Sequence, residues 1–258
     1  MLRGRKWALI LGASSGFGEA IAIELARSGY CIYGVHLDRR ENMSHVADVQ
    51  HSIRNAGGEA IFFNINAAEE EKRREVIDRI RADGSEVGVL MHSLAFGALR
   101  PLVGAAEVAS KRQIEMTADV MGHSLVYWTH DLVSNRLMKS GGRIYAMTSE
   151  GGGKAIPEYG PVSAAKAILE AHIRQLALEL APFGITANAI LAGVTDTPAL
   201  RKIPGSEKLM EIAIARNPHH RLTTTVDVAR CIAALCVQNT YWMTGNTLRV
   251  DGGEGSVG

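Results

Sequence analysis

Tyr159 and Lys166 stand seven positions apart in "EYGPVSAAKAILEA". A phenol beside an ammonium is a proton-donating pair. The ammonium keeps the surroundings electropositive, and the phenol donates a hydrogen bond to an oxygen that is gaining charge. A tyrosine one helical turn before the lysine would occupy position 162 or 163, but Val162 and Ser163 stand there. Seven residues is nearly two turns, so Tyr159 and Lys166 can share a helix face at longer reach. The alanines around Lys166 ("SAAKAILEA") point to a buried amine that needs a partner. The plainer alternatives are a surface tyrosine and a solvated lysine.

A second constellation lies near the start, in "ALILGASSGFGEAIA". Gly12, Gly16 and Gly18 fall between an apolar run and a helical pattern. Glycines there allow a sharp turn and let a pyrophosphate approach the free N–H groups of a helix start, with Ser14, Ser15 and Phe17 in the same loop. The spacing is GxxxGxG. By itself it is also compatible with a tight structural turn.

These residues need a scaffold, and the chain alternates short apolar runs with helical patterns. The strands are "KWALIL", "YCIYGVH", "EAIFFNI", "EVGVLMHS", "GRIYAMTS", "ITANAIL" and "NTLRVDGG". Helices are expected at "GEAIAIELARSG", "MSHVADVQHSIRNAGG", "EEEKRREVIDRIRAD", once or twice within 106–138, at 161–181, near 207–216 and at 226–238. Strand–helix–strand spacing means parallel pairing through helical crossovers, and continuous apolar strands mean helices on both faces. The fold class expected is α/β: one Rossmann domain over 1–258, with a doubly wound, seven-stranded parallel sheet. The tail "DGGEGSVG" reads as a surface or interface segment.

The composition narrows the function. A net charge of +1 gives no field for nucleic acid or anionic membrane. No run approaches the roughly 18 apolar residues of a membrane span, and the apolar run after the basic start ends at Gly12. Cys31, Cys231 and Cys236 form no CxxC pair or disulfide framework, which fits a reducing, cytoplasmic setting. Nine histidines contain no HExxH or HxxxH pattern, so no metal is expected. "EEEKRRE" is balanced in sign and reads as a solvated helix face.

The N-terminal GxxxGxG, the tyrosine–lysine pair and "VDGG" near the end together resemble the short-chain dehydrogenase/reductase family, across essentially the whole chain. Most members of that family carry "NNAG" after the fourth strand, a tyrosine four residues before the lysine, and an asparagine on the long fourth helix. Here those places hold "HSLAFG", Val162 and Asp119. "HSLAFG" and the Tyr-x6-Lys spacing are similar to the bacterial enoyl-acyl-carrier-protein reductases, a divergent branch of the family. "KAIPEYGPVSAAKAILEAHIRQLALELAPFGITANAILAG" resembles that branch over some 40 residues. The commonest type has a second tyrosine about ten residues before the catalytic one. Ser149 stands there, and with "ALRP" and "DTPAL" it looks more like the smaller NADPH-using type.

The resemblance implies a nicotinamide cofactor, a homotetramer, and reduction of an enoyl thioester held on acyl carrier protein or coenzyme A. It implies that Tyr159 serves the developing enolate, that Lys166 holds the nicotinamide ribose, and that Ser149 supports the substrate oxygen. The cofactor would meet Gly12, Ser14, Ser15, Gly16, Phe17 and Gly18, then His36, Arg39 and Arg40 after the second strand. Asn64 would contact adenine and Ile65 would pack on its ring. Ser93, Leu94 and Ala95 would follow the fourth strand. Gly193, Val194 and Thr195 would meet the carboxamide, and Thr197 the pyrophosphate. Basic Arg39 and Arg40 favour NADPH, with NADH possible, while Asp38 reads as a cap for the next helix. Residues 194–220 would form a lid. Leu200, Ile203, Leu209, Met210 and Ile214 would line an acyl channel or form an ordinary core face. Arg201 and Lys202 are candidates for a carrier protein. The open alternatives are a reductase acting on a carbonyl or alcohol, and a non-catalytic dinucleotide sensor.

Overall fold

The computed structural model describes residues 5–257; the basic start up to Gly4 and the final Gly258 lie outside them. Seven strands form one parallel sheet: β1 (Lys6–Leu11), β2 (Tyr30–His36), β3 (Ala60–Asn64), β4 (Val87–His92), β5 (Arg143–Thr148), β6 (Thr186–Ala192) and β7 (Thr247–Val250). Their order is β3-β2-β1-β4-β5-β6-β7.

The side-chain period of two sends successive residues of β1 to opposite faces. Trp7, Leu9 and Leu11 join Tyr33, Trp128, Leu132, Leu169 and Ile173 in one core. Ala8 and Ile10 join Ile21, Leu25, Ile32, Val228 and Ile232 in the other. The first core is covered by α3 (Glu70–Ala82), α5 (Ser124–Ser134) and α6 (Gly160–Leu180). The second is covered by α1 (Gly16–Arg27), α2 (Met43–Asn55) and α8 (Thr225–Leu235). The seven strands and their helices on both faces match the sequence expectation.

Two segments carry detail that the pattern does not show. The region 106–138 holds α4 (Lys111–Ala118), opened by a Ser110–Gln113 capping box and joined to α5 through one π-helical turn, Asp119–His123. Within that turn a Cβ on Gly122 would lie 2.9 Å from Ile168 Cγ2 and 3.1 Å from the Ala165 carbonyl oxygen. The wide turn and the bare glycine therefore let this helix close onto α6 beside Lys166. The tail is also not a plain surface segment: Asp251 and Glu254 are both buried.

The chain runs outward through β1, β2 and β3, then returns to pair β4 with β1. The crevice at the carboxyl ends of β1 and β4 is thus a topological switch point, where open α/β sheets hold ligands. Residues 194–220 arch beyond β6 and carry α7 (Ser206–Arg216).

Candidate active site

The cleft at the switch point begins where β1 stops. Gly12 turns at φ 86°, and a Cβ there would lie 2.5 Å from the Ser93 carbonyl oxygen. Only glycine lets the β1 and β4 loops come this close. Ser15 is the N-cap of α1 but makes no side-chain cap. The first-turn N–H groups are therefore left for an anion, at the positive end of the helix dipole. This cradle fits a pyrophosphate. Gly12, Ser14, Ser15, Gly16, Phe17, His36, Ile65, Ser93, Leu94, Ala95 and Thr197, all expected at the cofactor, line one cleft.

Four expected cofactor residues stand elsewhere. A Cβ on Gly18 would overlap the Gly12 carbonyl, so Gly18 serves the packing of helix against strand. Asn64 accepts the Asp38 N–H at 3.0 Å and donates to the Asp38 carbonyl at 2.9 Å, bracing that turn instead of lining the cleft. Arg39 and Arg40 are exposed and do not line it. Asp38 does. Its carboxylate takes a hydrogen bond from Ser14 and another, at 3.0 Å, from His36 Nδ1. Burial pushes the Asp38 pKa upward, but the bonds from Ser14 and His36 outweigh it and hold the group below the ordinary carboxylate range. Burial keeps the His36 imidazole below its usual value, so a neutral ring donates.

At the chemical end, Tyr159 is the N-cap of α6, with Pro161 in the first turn. Proline suits that place because its missing N–H has no helical partner there. The preceding residue, Glu158, holds a left-handed φ of 60°. The Tyr159 ring lies against Gly151, where a Cβ would come 2.5 Å from Cε1. Its hydroxyl is 3.3 Å from Ser149 Oγ. Burial raises the phenol's pKa, with the Ser149 bond opposing, so Tyr159 is protonated at neutral pH.

Lys166 is 5% exposed and donates to the Met147 carbonyl at 2.7 Å. Burial lowers its pKa to about 8, with Glu170 opposing. Glu170 in turn accepts from Thr148 Oγ1 at 2.6 Å. Tyr159, Lys166, Ser149, Gly193, Val194 and Thr195 line one pocket, continuous with the glycine-loop cleft through Phe17, Ser93, Leu94, Ala95 and Thr197.

His92, at the end of β4, is fully buried, with its Nε2 2.9 Å from Ser124 Oγ. Ser124 donates onward to the Val120 carbonyl, so His92 donates to Ser124. Burial and the nearby Lys166 charge lower its pKa to about 3, keeping it neutral. Asp119 accepts from Tyr127 at 2.8 Å and anchors its helix.

Of the five apolar residues expected to line an acyl channel or form a core face, Leu200, Ile203 and Leu209 line the pocket, while Met210 and Ile214 do not. Arg201 is held by Asp196 at 2.7 and 2.8 Å, whereas Lys202 borders the cleft. Sequence reasoning missed Leu99, Met121, Ile156, Glu150 and Glu254, all of which line the pocket. The acid directly after "VDGG" was visible in the sequence.

Comparison with known proteins agrees with this geometry. A family model described as enoyl-(acyl carrier protein) reductase matches residues 12–254. The 1-cyclohexenylcarbonyl-CoA reductase of Streptomyces collinus is 28% identical over 96% of this chain and 86% of its own. The enoyl-acyl-carrier-protein reductase (NADPH) FabI of Staphylococcus aureus (strain MRSA252) is 30% identical over 76% of this chain and 75% of its own. The crystal structure of enoyl-acyl-carrier-protein reductase (NADH) from Aquifex aeolicus VF5 superposes with a TM-score of 0.86, at 25% identity over 100% of this chain and 98% of that one. With its parallel sheet, glycine cradle and Tyr-x6-Lys pocket, the chain belongs to the enoyl-(acyl carrier protein) reductase family of the short-chain dehydrogenase/reductases.

Proposed function

We propose that the protein reduces the C=C bond of trans-2-enoyl thioesters, carried on acyl carrier protein or coenzyme A, in fatty-acid elongation. The observation that carries this reading is the protonated Tyr159 hydroxyl at the start of α6, in one pocket with the buried Lys166. An enoyl thioester takes hydride at its β-carbon, and the displaced electron pair moves to the thioester oxygen. That oxygen lies further from the hydride acceptor than the oxygen of a ketone does. A tyrosine three residues earlier on a helix reaches about 4.5 Å further. The nicotinamide supplies the hydride when bound.

The chain's residues do the rest. Tyr159 O–H donates to the thioester oxygen as charge develops there, and Ser149 Oγ steadies the phenol. The Lys166 ammonium holds the nicotinamide ribose and keeps the pocket electropositive. Tyr159 then gives its proton to the α-carbon, the enolate electron pair forms the new C–H bond, and solvent returns a proton to the phenol. Leu99, Met121, Ile156, Ile203 and Leu209 give the acyl chain apolar walls. Residues 194–220 act as the lid over a single domain.

For the cofactor, the relatives include both NADPH- and NADH-dependent enzymes. The Arg39–Arg40 pair favoured NADPH in sequence, but the ionised Asp38 lining the adenosine end repels a 2′-phosphate and suits ribose hydroxyls. NADH is therefore the preferred reading. It includes a cytosolic homotetramer, which sedimentation tests. No described helix is long and apolar enough to cross a membrane.

The test is cofactor oxidation with crotonyl-CoA against acetoacetyl-CoA. Turnover of the enoyl substrate is expected, and turnover of the ketone alone overturns the reading. Tyr159→Phe should lower kcat about a hundred- to a thousandfold and leave cofactor affinity unchanged. A purely binding protein would show no turnover in either form.

A further inference from the structure

Glu254 is 2% exposed, yet neither the family motifs nor the chemistry above uses it. Its Oε2 accepts the Val194 N–H at 3.1 Å. Its Oε1 meets Arg216 Nη2 at 3.2 Å. Arg216 is the last residue of α7, and the same nitrogen reaches Glu150 Oε2 at 3.1 Å. Glu150 directly follows Ser149. One guanidinium thus ties the lid helix, the Ser149 loop and the C-terminal tail together.

The Gly193–Thr195 turn is held from the other sides as well. Gly193 N–H donates to the Val250 carbonyl at 3.1 Å, and Thr195 Oγ1 donates to the Gly193 carbonyl at 3.0 Å. A Cβ on Gly193 would lie 2.9 Å from Glu254 Oε2, so the carboxylate packs directly beneath the turn. With the Val194 N–H taken by Glu254, the Val194 carbonyl and Thr195 N–H make no hydrogen bond among the described residues, and both residues line the pocket. One acceptor beside one donor complements the NH2 and C=O of a carboxamide.

We propose that Glu254 and Arg216 form a latch that positions the Gly193–Thr195 turn for the nicotinamide carboxamide and joins that turn to the lid. Both are positioning residues, acting through the Val194 backbone. A buried carboxylate is stable only while paired. Burial raises the Glu254 pKa, and the Val194 N–H and Arg216 oppose the rise. Withdrawing α7 removes Arg216 and leaves the carboxylate with the Val194 N–H but no counter-ion, so closed lid and ordered turn favour each other.

The inference rests on the dinucleotide reading above, and the experiment separates the two. Affinities for NADH and for ADP-ribose, which lacks the nicotinamide, are measured by calorimetry; NADPH and 2′-phospho-ADP-ribose are run in parallel. Glu254→Ala should weaken NADH about tenfold, the scale of one hydrogen bond to a charged group, and leave ADP-ribose unchanged. Glu254→Gln keeps an acceptor oxygen and should recover part of the loss. Arg216→Gln, at a half-buried site, should weaken NADH alone, and the Glu254→Gln/Arg216→Gln double variant should lose less than the sum of the two. Should Glu254→Ala fail to fold, the two glutamine variants decide. Equal losses for NADH and ADP-ribose, or no loss for either, overturn the latch alone. A wild-type protein that binds no dinucleotide overturns the cofactor reading and the latch with it.

Discussion

Lys166→Met should stabilise the cofactor-free protein while weakening cofactor binding. The lysine is almost wholly buried, and burial lowers its pKa from 10.5 to about 8. At 1.36 kcal/mol per pKa unit, the charged form is disfavoured in the fold by roughly 3 kcal/mol. Methionine has similar length and no charge, but it forfeits the 2.7 Å bond to the Met147 carbonyl, a loss of about 1 kcal/mol. The net gain at pH 7 is therefore about 2 kcal/mol. The sign follows from linkage. Below pH 8 both folded and unfolded chains hold the proton, and the full penalty applies. Between pH 8 and 10.5 the folded chain has released it while the unfolded chain has not, so wild-type stability rises with pH. The advantage of Lys166→Met should then shrink across that window. Urea denaturation at pH 7, 8, 9 and 10 measures it. The same variant should bind the dinucleotide at least tenfold more weakly, since the ammonium is the proposed ribose donor. A variant less stable than wild type at pH 7, by a margin that does not change with pH, would refute the buried-charge argument. Unchanged cofactor affinity would refute the ribose role.

Gly151→Ala puts a Cβ 2.5 Å from Tyr159 Cε1, so the ring must move; kcat should fall about tenfold in steady-state assays while the dinucleotide Kd stays constant. Asp38→Ala removes the carboxylate from the adenosine end, and the ratio of NADPH to NADH affinity should rise about tenfold in paired titrations. Wild-type cofactor affinity should also fall as pH rises above about 8, where the Lys166 ammonium loses its proton. Fluorescence titration across pH 7–9.5 follows this, and Lys166→Met should show no such slope.

Local pattern carried the fold far. Each strand is a short apolar run closed by a turn residue, and β1 and β2 occupy the very segments that the pattern marks, Lys6–Leu11 and Tyr30–His36. The glycine cradle and the Tyr159–Lys166 pocket were legible for a related reason: their geometry is set by one loop or one helix. What escaped depends on pairing across the chain. Asn64 looked like an adenine contact until the β2 turn brought Asp38 onto its amide. Arg39 and Arg40 favoured NADPH because sequence gives their charge but not their direction. Glu254 meets Arg216 and Val194 from 38 and 60 residues away, and no local spacing encodes that.

Val162 shows how the parts agree. It occupies the place where a tyrosine one turn before the lysine would stand, and it is buried in a cluster with Tyr159, Val120, Met121 and Ala165. A Cβ on Gly97 would come 2.9 Å from Val162 Cγ2 and 2.6 Å from Thr117 Cγ2, so the loop after β4 already presses into this place. A phenol there would need space that the "HSLAFG" loop and the π turn of the 111–134 helix have taken, and overfilling a packed core costs about 1–3 kcal/mol. The short-reach position is therefore closed by the same β4 loop that lines the cleft. The hydroxyl that enters the pocket comes from the helix cap at Tyr159, where Gly151 leaves room for its ring. The longer spacing and the altered β4 loop are thus two sides of one packing arrangement, and together they leave Tyr159 as the phenol available for the proposed proton-donor role.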